Sequence, residues 1–166
     1  MSDRNRSADL AEEGNIMIRK LFATDTGFSG TILRIVLGAV MFPHGAQKLL
    51  GWFGGAGFNA TMKGFESGLH IPTVFALLAI LAESVGAVAL IAGFFTRIAA
   101  LAISVNMLVA VWLVHWKVGF FMNWMGTGKG EGFEYHILAV AIGIALMIKG
   151  GGKWSVDGVI AKRLKR

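Results

Sequence analysis

The sequence predicts an all-α protein, a four-helix transmembrane bundle of antiparallel up-down topology with both termini in the cytoplasm. Two features lead to this prediction. Hydrophobic residues make up 55% of the 166 residues and charged residues only 16%, against about 25% charged residues in soluble domains. The apolar residues also fall into four runs, each near the roughly 20 residues that a helix needs to cross a bilayer. We therefore expect one membrane domain in direct contact with lipid.

The predicted spans divide the chain into three parts. Residues 1–29 are polar and mixed in charge, without the apolar segment of a cleaved signal, and are predicted to form a cytoplasmic N-terminal tail. Residues 30–150 form the membrane domain, and its spans are expected at residues 31–50, 71–93, 95–116 and 134–149. Residues 151–166 form a basic C-terminal tail.

The connections between the spans differ in length and composition. The segment before the second span is rich in Gly and aromatic residues and ends at Pro72, where a proline is tolerated because a helix begins there. The segment after the third span, residues 117–133, has a similar composition, and its Trp and Phe side chains favour the headgroup zone. The turn at residues 93–97 is short, so the second and third helices are predicted to be antiparallel neighbours.

Lys and Arg residues fall unevenly on the two sides of this topology, and positively charged segments stay in the cytoplasm. One side collects the basic residues of both tails and of the tight turn: Arg4, Arg6, Arg19, Lys20, Arg97, Lys149, Lys153, Lys162, Arg163, Lys165 and Arg166. The other side holds Lys48, Lys63, Lys117 and Lys129. This asymmetry explains the net charge of +6, so we predict no nucleic-acid partner.

The C-terminal tail has apolar residues at helical spacing behind a candidate cap at Ser155: Val156, Val159, Ile160 and Leu164. With basic residues at its end, this pattern is typical of a short helix that lies on anionic lipid. A frayed polar tail is the alternative interpretation.

The chain has no cysteine. Thiolate metal sites, iron–sulfur clusters and a thiol relay within the chain are therefore excluded. The sequence predicts no catalytic residue, no metal ligand set and no intrinsic cofactor. Redox chemistry would require a borrowed cofactor or a partner protein.

One charged residue, Glu83, lies in the middle of the second apolar run. A carboxylate inside a membrane helix has to face other helices and find a partner there. Helical rise places Asn106 of the third span near the same depth and lets Arg34 of the first span approach it. A network of Arg34, Glu83 and Asn106 is predicted, either as a lock that fixes helix packing or as a proton or substrate relay.

A second set of polar residues is predicted near the outer membrane face: His44, Gln47, Lys48, His115, Asn123, Glu134, Tyr135 and His136. Three of the four histidines of the chain fall at this level. Polar residues also accumulate at helix ends without function, and Glu134 is favoured at a helix N-terminus by the dipole alone. The set is therefore either a binding site or a collection of surface residues.

Four segments together carry a resemblance to a known family: RIVLGAVMFPHGAQKL, AESVGAVALIAGFFTRIAAL, FFMNWMGTGKGEGFEYHIL and GGGKWSVDG. From Arg34 to Asp157 the chain resembles the DoxX family of small bacterial and archaeal membrane proteins. The resemblance implies a four-helix bundle in a bacterial or archaeal inner membrane. It also implies a relation to subunits of quinone-linked oxidoreductases of sulfur compounds and to oxidative-stress complexes.

Three functions remain open at this point. The outer set could bind a quinone headgroup, because His, Lys, Asn and Tyr can donate to its carbonyl oxygens and Glu134 can accept a proton. The chain could instead be a membrane anchor or accessory subunit that recruits a redox enzyme, with its loops as the docking surface and with homo-oligomers allowed. The third hypothesis is a channel or carrier for a small solute or proton that uses Glu83. Haem ligation by His44 with His115 or His136 is not favoured, because histidines near the outer interface are more often hydrogen-bonded to loops. Metal binding by His44, Glu134 and His136 lacks a tight spacing motif.

Overall fold

The computed structural model describes residues 3–126, 128 and 130–164. Over these residues the chain is all-α, as predicted, and contains no strand. Its α-helices are α1 (Asp3–Phe22), α2 (Phe28–Leu50), α3 (Gly57–Lys63), α4 (Thr73–Ala92), α5 (Thr96–Ala110), α6 (Glu134–Lys149) and α7 (Val156–Arg163). π-helical turns at Gly64–Gly68 and Val111–His115 prolong α3 and α5.

Three of these helices are long and apolar enough to cross a membrane: Phe28–Leu50, Thr73–Ala92 and Thr96–His115. They coincide with the first three predicted spans to within three residues. The fourth predicted span, residues 134–149, is the whole of α6, which at 16 residues is shorter than the others.

The long helices pack side by side in a ring. Helix α2 lies against α4 and α6, and α5 lies against α6 and α4. The buried side chains between them are apolar, with Met41, Ile80, Leu90, Ile103 and Leu146 among the largest. The Leu, Ile and Val side chains on the outside of the ring are exposed, which suits contact with lipid.

Helices α2 and α4 approach so closely that their backbones touch at glycines. A Cβ atom added at Gly45 would overlap the backbone oxygen of Glu83, and one at Gly38 would lie 2.8 Å from that of Ala87. Membrane helices that lack a hydrophobic driving force associate through such small residues. These contacts therefore fix which levels of α2 and α4 lie opposite each other.

Gly45→Ala is expected to lower the free energy of unfolding by about 1–3 kcal/mol, because the added methyl group must push α2 away from α4. Gly86→Ala is the matched control, since its Cβ would only touch the Ile103 side chain at 3.7 Å. The control substitution should leave the free energy of unfolding unchanged or raise it, because Ala stabilises a helix by about 1 kcal/mol relative to Gly. Thermal unfolding of both variants in detergent tests the contact, and equal stability would contradict it.

The two tails fold onto the end of the ring at which α2 begins, here called the terminal end. Helix α7 begins at the predicted cap, where Ser155 Oγ accepts a hydrogen bond from the Gly158 amide at 3.1 Å. The N-terminal tail contains α1, a helix that the polar composition did not predict, and the Phe22 and Phe95 rings pack with centroids 5.1 Å apart. Residues 1–2 and 165–166 of the two tails, and Lys129, lie outside the described residues.

The opposite end is here called the loop end and consists of the described residues of the ranges 51–72 and 116–133. The first of these connections is more ordered than a glycine-rich loop suggests, because it contains a 3-10 turn at Trp52–Gly54 as well as α3. Aromatic side chains such as Trp116, Phe121 and Trp124 are highly exposed there. Such side chains favour the headgroup zone of a bilayer, and the location of both connections there stays a prediction.

Candidate functional site

Glu83 lies near the middle of α4, is only 4% exposed and has a partner on each side. Its Oε1 accepts a hydrogen bond from Asn106 Nδ2 on α5 at 2.7 Å. Its Oε2 forms an ion pair with Lys48 Nζ on α2. A buried carboxylate needs both a counter-charge and hydrogen-bond donors, and these two residues supply them. We call Lys48, Glu83 and Asn106 the inner triad.

The predicted pairing of Glu83 with Arg34 is wrong, although its pairing with Asn106 is found. Gly45 is the residue of α2 that touches the Glu83 backbone, and Arg34 precedes Gly45 by eleven residues. That separation corresponds to about 16 Å of helix, beyond the reach of an arginine side chain. Lys48, one turn beyond Gly45, is the cation at the level of Glu83.

Arg34 instead lies at the terminal end, 2% exposed, and binds backbone carbonyls. It donates to Leu90 and Ile91 at the end of α4, to Gly151 at 2.8 Å and to Trp154 at 2.9 Å. Nearby, the Asp157 carboxylate accepts from the backbone amides of Phe95 and Thr96, both at 2.8 Å, where α5 begins. We call Arg34 and Asp157 the clasp, because they tie α2, the α4–α5 turn and the segment before α7 together.

A groove of about 1110 Å³ runs between α4 and α5. Apolar side chains of both helices line it, and many of them, such as Phe75, Val85 and Val105, are also exposed at the surface, so the groove is open to the side. Its polar lining residues are the inner triad, His70 and His115. The groove thus combines a long apolar cleft with a polar group of both donors and acceptors.

Four residues predicted at the outer face have side-chain rings that lie in a continuous row, which crosses the space enclosed by the helices. These residues are His44, Tyr135, His136 and His115. The His115 and His136 rings have centroids 4.2 Å apart, those of His136 and Tyr135 5.5 Å, and those of Tyr135 and His44 6.4 Å. His136 is 7% exposed, whereas His44 is exposed and His115 is half-buried in the groove wall. We call these four residues the ring row.

The other residues of the predicted outer set do not join the ring row. Gln47 donates a hydrogen bond to the Phe53 carbonyl at 3.2 Å. The Asn123 side-chain oxygen accepts one from the Gly128 amide within the loop. Glu134 Oε1 accepts from the Met122 amide and the Trp124 indole, at 3.0 and 3.1 Å. These three residues hold the loop end in shape, and Lys48 belongs to the inner triad.

Two features of the site do not follow from the sequence. His70 lines the groove but lies in a connection, where its backbone has a φ of 54°. Asp157 belongs to the GGGKWSVDG segment, and its contacts give that segment a structural role. Within the part of the chain that the structure describes, no group of three or more His, Asp or Glu side chains could hold a metal ion.

Comparison with known proteins identifies one family. The family model described as DoxX matches residues 30–116, slightly more than half of the chain. The matched range includes Arg34, the inner triad, His44 and His115 but ends before α6. No curated protein matches the chain, and no solved structure matches it.

Proposed function

Since the chain belongs to the DoxX family and is a membrane protein, we propose that it is an accessory subunit of a redox complex in a bacterial or archaeal inner membrane. In this proposal α2, α4, α5 and α6 form a four-helix transmembrane bundle of antiparallel up-down topology, and the α4–α5 groove holds a quinone. The groove with the inner triad in its wall is the observation that carries the proposal.

The orientation follows from the basic residues. Arg97, Lys149, Lys153 and the basic residues of α7 lie at the terminal end, so the positive-inside rule puts that end and both termini in the cytoplasm. The loop end then faces outward. Helix α6 spans about 24 Å at 1.5 Å per residue, somewhat less than the hydrocarbon thickness, and the adjoining loop-end residues complete its passage.

The groove suits a quinone in shape and in chemistry. Ligand pockets typically measure about 300–1,000 Å³, so this groove has room for a headgroup and part of an isoprenoid tail. The tail would lie against the exposed apolar side chains and enter from the bilayer. Lys48 can donate to a quinone carbonyl oxygen, and the Asn106 amide oxygen can accept from a quinol hydroxyl.

A partner subunit has to supply the electrons, because the chain carries neither cysteine nor a metal-ligand motif of its own. The exposed aromatic side chains of the loop end offer a docking surface on the outer side. The channel or carrier alternative uses Glu83 as a free carboxylate, whereas here both of its oxygens are engaged. Binding to a laterally open groove is therefore favoured over passage along the bundle axis.

The test is a direct search for the ligand. Protein purified from its native membrane in mild detergent is extracted with organic solvent, and the extract is analysed for quinone. Binding of a short-chain quinone is then titrated by quenching of tryptophan fluorescence. Ala102→Phe, which fills the groove, is expected to weaken binding at least tenfold.

Val88→Phe is the matched control, because Val88 is exposed on α4 but does not line the groove. This variant should bind like the unmodified protein. Absence of quinone from the extract together with unsaturable quenching would contradict the proposed ligand. Equal binding by the two variants would contradict the location.

A further inference from the structure

We propose that the ring row conducts protons between the outer side of the membrane and the quinone in the groove. The inference deepens the proposed function and rests on it. It assigns Tyr135 and His136, which do not line the groove, a role in the chemistry of the ligand bound there.

The row has the two ends that such a path requires. His115 lines the groove and is the last residue of the π turn that ends α5, so it can contact the ligand. Its Nδ1 contacts the Glu131 carbonyl at 2.7 Å, which leaves Nε2 for the ligand or for the next ring. His44, at the other end, is exposed on α2 about 9 Å of helix before Leu50, near the level of the headgroups.

The middle of the row contains buried polar atoms that the fold does not use. Within the described residues, neither Tyr135 Oη nor His136 Nδ1 has a hydrogen-bond partner, and both atoms are inaccessible to solvent. Leaving such a group unsatisfied is costly, and Phe or Leu would pack there without that cost. Unpaired donors and acceptors are what a proton path needs, because each ring must exchange a hydrogen bond with either neighbour or with an intervening water.

Reduction of a quinone requires a route for protons as well as for electrons. A 1,4-quinone takes up two electrons, here from a flavin or metal centre of the partner subunit, and two protons. Each proton forms an O–H bond at one carbonyl oxygen. His115 donates the two protons one after the other, and after each transfer His136, Tyr135 and His44 in turn restore the proton of His115 from the outer side. Imidazole and phenol groups both donate and accept protons, so the row can repeat this step.

The experiment separates proton delivery from quinone binding. The full chain is placed in lipid nanodiscs with a short-chain quinone, and a ruthenium bipyridyl photosensitiser with a sacrificial donor supplies the electrons. Time-resolved absorption follows the decay of the quinone band as the quinol forms, a change that takes two electrons from the sensitiser and two protons. Tyr135→Phe removes only the unpartnered hydroxyl and is expected to slow this decay roughly 10²-fold, with quinone affinity and thermal stability kept.

His136→Gln should slow the decay similarly, and added imidazole should restore the rate in His136→Ala. Ser84→Ala is the matched control, because it removes a buried hydroxyl of α4 that bonds the Ile80 carbonyl, and its rate should be unchanged. Tyr135→Phe and His136→Gln proteins that bind quinone and reduce it at the unmodified rate would overturn the relay and leave the proposed function intact. Loss of quinone binding in Tyr135→Phe would also overturn it, whereas an unmodified protein that binds no quinone would remove both proposals.

Discussion

Lys48→Met is expected to lower the free energy of unfolding by about 3–5 kcal/mol, the usual cost of removing one partner of a buried ion pair. The substitution keeps the length of the side chain but leaves the Glu83 carboxylate, whose side chain is 6% exposed, with Asn106 as its partner in the inner triad. Reversible unfolding by SDS in mixed micelles measures the change. Without Lys48 the buried Glu83 carboxylate has no counter-charge in the inner triad, which is costly.

The double variant Lys48→Met/Glu83→Gln is the control for this prediction. Glutamine keeps an oxygen that can accept from Asn106 and carries no charge, so most of the lost stability should return. A surface ion pair would contribute about 0–1 kcal/mol. If the Lys48→Met protein loses no more unfolding free energy than this, water screens the ion pair and the buried Glu83 carboxylate does not need Lys48 as its counter-charge.

The elements of the fold were largely predictable because they follow from hydropathy and from local signals. Each predicted span coincides with a helix, and Ser155 caps α7 as its position indicated. Helix α1 was not predicted, because a polar segment of mixed charge lacks the apolar periodicity that identifies a helix. Its contacts with α7 and Phe95 come from the fold rather than from the segment itself.

The sequence predicted that the residues of the candidate site need partners, but it predicted less well which residue pairs with which. The need of Glu83 for a partner follows from its place in an apolar run, but which cation meets it depends on the level at which α2 crosses α4. That level is set by the backbone contact at Gly45, and several glycines in α2 could have made it. The same uncertainty placed Lys48 in the outer set and Arg34 in the inner one.

The groove between α4 and α5 could not be predicted from the sequence. A short turn between α4 and α5 predicts neighbouring helices, yet the space between them depends on how each packs against α2 and α6. The ring row was easier to anticipate, since three histidines at one depth indicated convergence. Its order, and the absence of Gln47, Asn123 and Glu134 from it, depend on loop contacts that only the structure supplies.

Arg34→Leu is expected to destabilise the protein by more than about 3 kcal/mol, because hydrogen bonds to a charged group contribute about 1.5–3 kcal/mol each. The substitution leaves the carbonyl groups of Leu90, Gly151 and Trp154 without this donor at a buried position. Since Arg34 holds the end of α4 beside the turn into α5, the terminal end of the groove should also loosen. Hydrogen–deuterium exchange of the amides of residues 90–97 measures the local effect, and SDS unfolding measures the global one.

Arg34→Lys and Asp157→Asn distinguish the geometry of the clasp from its charge. Lysine keeps the charge but cannot reach carbonyls of α4 and of the segment before α7 at once, so it should recover only a part of the stability. In Asp157→Asn the side-chain oxygen could accept from one of the Phe95 and Thr96 amides, and the other amide would lose its partner. Both variants should therefore speed exchange in the α4–α5 turn, where Phe95 is held at a φ of 46°. Full stability of Arg34→Lys would show that charge alone secures this end, and slow exchange in all three variants would show that the turn holds its shape without the clasp.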